Sequence, residues 1–194
     1  MNLVDRVKKI LLQPKQEWAV IKGETYTVSQ LYTRYVMILA AIPAVASFIG
    51  FSIVGYTGFG VPYRVPIAAG VANMVLGYAL TLGGVYVMAL LIDALAPSFG
   101  GEKDMGQALK VAAFFPTASW VAGIFSILPA LAILAVLGGL YSLYLLYLGL
   151  GQLMTVPPDK NVGYTVVVII VAIVIMVVIS TVAALAMPSP ARGF

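Results

Sequence analysis

Long apolar stretches alternate with short polar gaps along this chain, and almost all of the charged residues lie in the gaps. A helix needs about 20 mainly apolar residues to cross the hydrocarbon core of a bilayer. Five stretches approach or exceed that length, so the pattern predicts an all-α, polytopic membrane protein. The expected five-helix bundle fills a transmembrane domain of residues 33–187, with spans at about residues 35–54, 67–95, 107–128, 131–154 and 164–187.

The segment before the first span, residues 1–32, is interpreted as cytoplasmic and amphipathic. Leu3, Val4, Val7, Ile10 and Leu11 fall at helical spacing on one face, and charged residues occupy much of the rest. A helix of this kind lies in the membrane interface with its cations toward anionic headgroups. We expect Trp18 to be an interfacial anchor, because indole rings favour that boundary. The alternative, which does not exclude the first, is packing on the protein's own cytosolic side.

Prolines interrupt two of the predicted spans. Pro43 lies inside the first and Pro116 inside the third, and a proline has no backbone N–H to donate within a helix. We therefore expect broken helices at both positions. Residues 107–154, which contain a tight turn at Pro129, are interpreted as two full spans, with a partly re-entrant unit as the alternative. Residues 188–194 are expected to form an external tail.

The amino-acid composition excludes several classes of function. The chain is 62% hydrophobic and 9% charged, whereas ordinary soluble domains are about a quarter charged. It contains no cysteine and no histidine, which excludes disulfides, Cys/His zinc sites and Ser-His-Asp triads within it. We expect a protein that is not an enzyme, with no cofactor, no metal site and no nucleic-acid partner.

The cations predict an orientation. Five spans place the two termini on opposite sides, and cytoplasmic loops carry an excess of lysine and arginine. The split is nine to two, which predicts a cytoplasmic N-terminus and an external C-terminus. The nine on the N-terminal side are Arg6, Lys8, Lys9, Lys15, Lys22, Arg34, Lys103, Lys110 and Lys160, and the other two are Arg64 and Arg192.

One carboxylate lies within a predicted span. Asp93 sits about one turn before the end of the second span, and Lys110 sits about one turn into the third. A short hairpin joins these spans, so both side chains should lie at a similar depth. An ion pair would lower the free-energy cost of placing either charge near hydrocarbon. The alternatives are that each side chain reaches out to water or that Asp93 couples to a proton or cation.

Small and polar residues mark two further surfaces. Gly70, Gly77 and Gly84 recur every seven residues and predict a helix-packing seam, because bare backbone lets a neighbouring helix approach closely. A substrate-lining groove is the alternative for this face. The side chains that would line a polar cavity are Asn73, Thr81, Ser119, Ser126 and Tyr144.

Short motifs follow one another along nearly the whole chain. In chain order they are Ile10-Leu11-Leu12-Gln13-Pro14 with Glu17-Trp18 and Ile21, then Phe99-Gly100-Gly101, Gln107-Ala108-Leu109 and Phe115-Pro116, and finally Tyr144-Leu145-Leu146-Tyr147-Leu148-Gly149-Leu150 with Met154, Pro157, Lys160 and Tyr164. In this order and spacing they resemble the Yip-domain family, named after Ypt-interacting proteins that bind Rab-type GTPases in eukaryotes.

The resemblance implies five spans, a cytosolic N-terminus and a role as a membrane-trafficking adaptor in eukaryotic members. This chain departs from those members, because it lacks their long N-terminal extension and their Asp-Leu-Tyr-Gly-Pro-type signature. Its short form implies the plasma membrane of a bacterium or archaeon, and Rab binding is not expected.

Two functions remain in competition. A non-enzymatic scaffold, organiser or adaptor would act through lateral helix contacts and the interfacial N-terminal helix, with membrane lipid, a second copy or other membrane proteins as partners. A small-molecule or ion transporter or channel would use the helix breaks at Pro43 and Pro116, because exposed backbone carbonyls at such breaks can bind a substrate. The scaffold predicts a closed bundle, and the transporter predicts a polar cavity near the midplane.

Overall fold

A helix pair opens the chain in the computed structural model, which describes residues 2–58 and 61–185. The first helix, α1 (Leu3–Leu12), begins where the Asn2 side chain accepts hydrogen bonds from the backbone N–H groups of Val4 and Asp5. Such a side chain satisfies donors that the first turn leaves free. The second helix, α2 (Pro14–Gly23), starts with a proline, which suits the first helical position because no N–H is needed there.

The first membrane span is longer and less regular than the sequence predicts. It runs from Val28 to Val54 and therefore begins before the expected start at residue 35. Thr27 and Gln30 cap its start reciprocally. The helix break predicted at Pro43 is wrong, because the α-helix runs through that residue without interruption. Two widened π-helical segments flank it instead. In order, the segments are α3 (Val28–Leu31), the π-helix Tyr32–Val36, α4 (Met37–Phe48) and the π-helix Ile49–Val54.

The second span follows a short hairpin. Strands β1 (Tyr56–Gly58) and β2 (Val61–Tyr63) pair antiparallel. The long helix α5 (Ile67–Leu95) then continues into one 3₁₀ turn, Ala96–Phe99. That turn ends at Gly100, which has a φ of 74°. A side chain at such a left-handed position would be strained.

The third span is broken at the predicted proline. It consists of α6 (Met105–Phe114), α7 (Thr117–Ala122) and the 3₁₀ segment Gly123–Ile127, with a turn at Phe115 and Pro116 between the two helices. At this break the Thr117 hydroxyl donates to the Phe114 carbonyl at 2.5 Å. A hydroxyl from the same chain thus satisfies one backbone group that the break leaves free.

Two separate segments cover the region for which a re-entrant unit was the alternative. Met105–Ile127 and Ile133–Leu153 are each long and apolar enough to cross a membrane. The fourth span follows the 3₁₀ turn Pro129–Leu131 as α8 (Ala132–Leu153), and the fifth is α9 (Pro158–Leu185). The last two residues of the predicted fifth span, 186–187, and the predicted tail, 188–194, lie outside the described residues.

The third span forms the centre of the bundle. It contacts the first, second and fourth spans, and the fifth packs against the second and fourth. In its most apolar window 61% of residues are buried, against 22–33% in the other four spans. The described part of the chain thus contains five helical segments able to cross a bilayer, and the all-α prediction is confirmed.

Candidate functional site

The N-terminal helix pair docks onto the third and fourth spans through its apolar face. Ile10, Trp18 and Ile21 are fully buried. The Trp18 indole meets the Phe114 ring edge-on at 6.4 Å between centroids. It also lies against Gly149, where an added Cβ would come within 2.9 Å of the indole. The structure therefore corrects the prediction of an interfacial anchor: Trp18 packs inside the protein, because the fourth span leaves room for its ring.

A buried charge network holds α1 to the segment that follows it. The Arg6 guanidinium is paired with the buried Glu17 carboxylate and, at 2.6 Å, with Glu24. It also donates to the Tyr26 hydroxyl at 3.2 Å and lies 5.9 Å from the centre of the Phe114 ring. Charge-assisted hydrogen bonds of this kind are roughly twice as strong as neutral ones. The network therefore fixes α1, α2 and residues 24–26 as one unit.

The network shifts the pKa values of its members. Burial raises the pKa of Glu24, but hydrogen bonds from Tyr26 and Arg6 outweigh burial, so the net pKa lies below the usual 4.5. Burial and the hydrogen bond to Glu24 raise the pKa of Tyr26 to about 12. Burial alone would lower the pKa of Arg6, but the bond to Glu24 and the surrounding negative charge raise it. All three groups therefore keep the charge state that the network needs at neutral pH.

Lys110 ties the helix pair to the third span. Its ammonium donates to the backbone carbonyls of Ile21, Lys22 and Glu24 at 2.9, 3.0 and 2.8 Å. These carbonyls lie at or just after the end of α2, where the helix dipole is negative and acceptors lack helical donors. One lysine therefore uses all three of its donors to cap another helix.

The predicted Asp93–Lys110 ion pair is not formed, because the carbonyls at the end of α2 occupy the ammonium. The ion pairs found within residues 2–58 and 61–185 both belong to Arg6. The Oδ1 atom of Asp93 is buried and has no hydrogen-bond partner among those residues. No group of Asp and Glu side chains that could hold a metal ion occurs in the described part of the chain.

Sequence reasoning missed Arg6 and Glu17, although their positions carried a signal. Arg6 shares the buried helix face of Leu3, Val7 and Ile10, and Glu17 lies beside Trp18 on the corresponding face of α2. Charged residues at apolar positions of two successive helices can satisfy each other only if the helices pack together. The Arg6–Glu17 ion pair was missed because the charged residues of α1 were interpreted as a face exposed to solvent.

A second buried polar contact lies at the break in the third span. The Tyr35 hydroxyl, on the first span, is 2.7 Å from the Thr117 hydroxyl. Both residues are fully buried, and the Tyr35 ring packs on Phe114 at 4.5 Å between centroids. Phe114 therefore links the first span, the broken third span and the docked helix pair.

The half of the bundle that bears the start of α5 contains a partly open cavity of about 480 Å³. Among the predicted polar lining residues, Asn73 and Thr81 do line it. The other three lie elsewhere, so the predicted set does not form one site. The backbone N–H of Ser119 donates a hydrogen bond to the Ser142 hydroxyl. The backbone of Ser126 lies against Gly50. The Tyr144 side chain is exposed and lies beside the Tyr141 ring.

The predicted glycine seam is split between close packing and open space. Gly70 lies against Ser52 and Phe48 so closely that a Cβ there would overlap with them. Gly77 lines the 480 Å³ cavity, and an added Cβ would meet no atom within 4 Å. Gly84 lines a smaller cavity of about 280 Å³ between the second, third and fifth spans. Only Gly70 therefore acts as the seam predicted for all three.

Comparison with known proteins agrees with this architecture. The Yip1 domain matches residues 8–180. The chain is 31% identical over 117 residues to "Inner membrane protein YohC" of Escherichia coli, from strain K12 and from an O6:H1 strain. The match covers 60% of this chain and 60% of the length of each relative. No solved structure gives a significant match. With its five membrane-spanning helices, the chain is an integral membrane protein that belongs to the Yip1 domain family.

Proposed function

We propose that this protein is a non-enzymatic membrane scaffold or adaptor, in which the bundle holds a basic helix pair at the cytoplasmic surface of a prokaryotic inner membrane. The observation that carries the proposal is the double attachment of α1 and α2. Arg6 joins them to each other, and Lys110 joins them to the third span. A segment fixed by buried charges on one side can present its other side in a constant geometry.

The presented side is basic with scattered apolar groups. Lys8, Lys9, Lys15 and Lys22 are exposed, and the large exposed apolar side chains there are Val4, Leu12 and Val20. Lysines near an anionic membrane surface contribute about 1 kcal/mol each to lipid attraction. The excess of cations on this side also supports a cytoplasmic placement. Anionic headgroups, or membrane proteins with acidic surfaces, fit as partners.

Lipid preference tests the proposal. The protein is reconstituted in phosphatidylcholine vesicles with a photoactivatable phosphatidylglycerol, and the labelled fraction is measured against phosphatidylglycerol content. A variant with all four exposed lysines changed to glutamine should lose about 4 kcal/mol of attraction, so its affinity for the anionic lipid should fall by more than a hundred-fold. R64Q, which removes an exposed cation before α5, is the control. Equal labelling of the quadruple variant and R64Q would contradict the lipid-binding role.

A second candidate, transport of a small neutral solute, is favoured by one observation. The 480 Å³ cavity is lined by Asn73 and Thr81 of the second span and by Pro43 of the first span. Transport requires that this cavity open alternately to both sides. Osmotic swelling of proteoliposomes in glycerol tests it: swelling that depends on the protein and is reduced in N73A would support transport, and swelling equal to that of empty vesicles would contradict it.

A further inference from the structure

Two membrane spans are longer than the hydrocarbon core of a bilayer. Helix α5 has 29 residues and α9 has 28, so at 1.5 Å per residue they are about 44 and 42 Å long. The core is about 30 Å thick, and at the average tilt of about 20° a 44 Å helix still spans about 41 Å along the membrane normal. About 10 Å of each helix therefore lies outside hydrocarbon.

The first span meets α5 near its middle and ends before α5 does. The Tyr32 hydroxyl donates to the Leu82 carbonyl at 2.8 Å. Toward the side of the helix pair, the first span extends only about 6 Å beyond this contact, to Val28, whereas α5 extends about 20 Å beyond it, to Leu95. The end of α5 therefore projects about 14 Å past the start of the first span.

Contacts of aromatic rings carry the same level across the bundle. The Phe114 ring, on the third span, lies 4.5 Å from the Tyr35 ring of the first span and 6.4 Å from the Trp18 ring, measured between centroids. The Trp18 indole in turn lies against Gly149 of α8. Tyr35 is about one turn from the residue that contacts α5, so these groups lie at a level similar to that of Leu82.

Exposed aromatic and cationic side chains occur at this level. Arg34, Tyr86 and Tyr147 belong to three different spans, and each lies within about one turn of one of these contacts. Tyr86 is 41% exposed and Tyr147 is 37% exposed. Arg34 is exposed and forms no ion pair within residues 2–58 and 61–185. Tyrosines are enriched where a bilayer meets water, and a guanidinium binds phosphate through two parallel hydrogen bonds. We call these three residues the interface belt.

A layer without charged residues extends from the interface belt toward the opposite end of the bundle. The sequence has no Asp, Glu, Lys or Arg between Arg34 and Arg64 or between Arg64 and Asp93. Arg64 is exposed just before α5 begins. From Ile67 to Tyr86, α5 is about 30 Å long, which matches the thickness of the hydrocarbon core. Arg64 and the interface belt therefore bound a layer of bilayer thickness.

Charged groups on the other side of the interface belt lie beside it or beyond it. Lys110 precedes Phe114 by about one turn on that side, and the Arg6 guanidinium lies 5.9 Å from the centre of the same ring. Asp93 lies about 10 Å beyond Tyr86 along α5. Placing these charges in hydrocarbon would be costly. Beyond the interface belt, headgroups and water surround the bundle, and that cost is avoided.

We propose that lipid headgroups bind the bundle at the interface belt, with a lipid phosphate on Arg34. The end of α5 from residue 87, the helix α6 and the docked helix pair then form a head that stands in the headgroup layer and in water. This places the membrane boundary near Tyr86 instead of near residue 95, a difference of about 14 Å. The inference concerns depth in the membrane and does not depend on the scaffold proposal.

Depth measurements along α5 test the boundary. The chain contains no cysteine, so V75C, V87C and A94C each carry a single spin label at an exposed position. The labelled proteins are placed in nanodiscs of phosphatidylcholine and phosphatidylglycerol. Relaxation of each label by oxygen, which enters hydrocarbon, is compared with relaxation by a water-soluble nickel chelate. We expect V75C to be shielded from the chelate, A94C to be fully accessible to it and V87C to lie between them.

The usual placement of a long apolar span gives a different profile. If hydrocarbon reached residue 95, the label at V87C would lie about 12 Å inside it and would be as shielded from the chelate as the label at V75C. That result would overturn the proposed boundary, and so would shielding of the label at A94C.

A second measurement tests the phosphate on Arg34. Arginine is labelled with ¹³C in its guanidinium group, and lipid ³¹P dephases the solid-state NMR signal of that carbon only at close range. R34Q should lose part of the dephasing relative to the parent protein. An unchanged tryptophan emission maximum shows that the variant is folded. Equal dephasing in R34Q and the parent would refute phosphate binding at Arg34.

Discussion

Replacing Arg6 with methionine should release the helix pair from the bundle. The guanidinium is 7% exposed, and its partner Glu17 is equally buried. Removing one member of a buried pair leaves the other charge without compensation, which destabilises by about 3–5 kcal/mol. Since 1.4 kcal/mol is a factor of ten, the docked state should become at least about a hundred-fold less favoured. Loss of the contact with Glu24 adds less, because that side chain is 35% exposed.

Trp18 reports this change directly. The chain contains two tryptophans, so a W120F background leaves one indole, which is fully buried when docked. In detergent micelles titrated with SDS, undocking should shift the Trp18 emission to longer wavelength and increase its quenching by acrylamide. R6M should undock at a lower SDS fraction than the parent. K9M, which removes an exposed cation from the same helix, should behave as the parent.

A double variant separates the pair from general damage to α1. E17Q removes the charge that R6M leaves uncompensated, so R6M/E17Q should recover most of the lost docking. Contacting charges are expected to be strongly non-additive in such a cycle. If R6M undocks at the same SDS fraction as K9M, or if the two single effects simply add, the buried pair does not hold the helix pair in place.

Three further predictions use the same fluorescence assay. K110M should weaken docking by about 1.5–3 kcal/mol, because the end of α2 loses its charged donor. D93N should leave docking unchanged. An equal loss in the two variants would indicate that Asp93 and Lys110 form an ion pair after all. G149A should weaken docking by about 1–3 kcal/mol, because the added methyl group overlaps with the Trp18 indole. G139A is the control, since an added Cβ there meets nothing within 4 Å. Equal effects of the two variants would contradict the contact between Gly149 and the indole. The pKa of Glu24 is lowered on folding, so its contribution is present above its unfolded pKa of about 4.5 and is lost as pH falls through the lower folded pKa. Docking should weaken in that range, and E24Q should remove this part of the pH dependence, so an unchanged profile in E24Q would contradict the assignment.

The sequence predicts the fold well where one local rule decides the outcome. Apolar length alone separates the spans, since a continuous apolar stretch that crosses hydrocarbon satisfies its own backbone groups as an α-helix. Pro116 breaks the third span where expected, because a proline cannot donate within a helix. The same rule fails at Pro43, where the helix Met37–Phe48 continues. The widened segments Tyr32–Val36 and Ile49–Val54 were not predicted. A π-helical turn depends on which neighbours pack around it, and no residue type marks it.

The candidate sites were predicted less well, because they depend on contacts between distant parts of the chain. Asp93 and Lys110 lie on two spans that a short hairpin joins, and their similar depth suggested an ion pair. The carbonyls at the end of α2 compete for the same ammonium, and three of them bind it. Only knowledge that α2 folds back onto the third span reveals that competition. Asn73 and Thr81 line the same cavity, because both lie on one helix and about two turns separate them.

Burial of two cations next to the third span explains why the N-terminal helices belong to the membrane domain. Lys110 lies within a helix that is largely buried, and Arg6 contacts the ring of Phe114 one turn further along. Neither charge could remain there without acceptors. Glu17 and the carbonyls at the end of α2 supply them, so docking the pair satisfies both charges at once. Without α1 and α2, Lys110 would lose the carbonyls of Ile21 and Lys22, and Phe114 would lose its contacts with Trp18 and Arg6. The helix pair is therefore expected to fold together with the bundle.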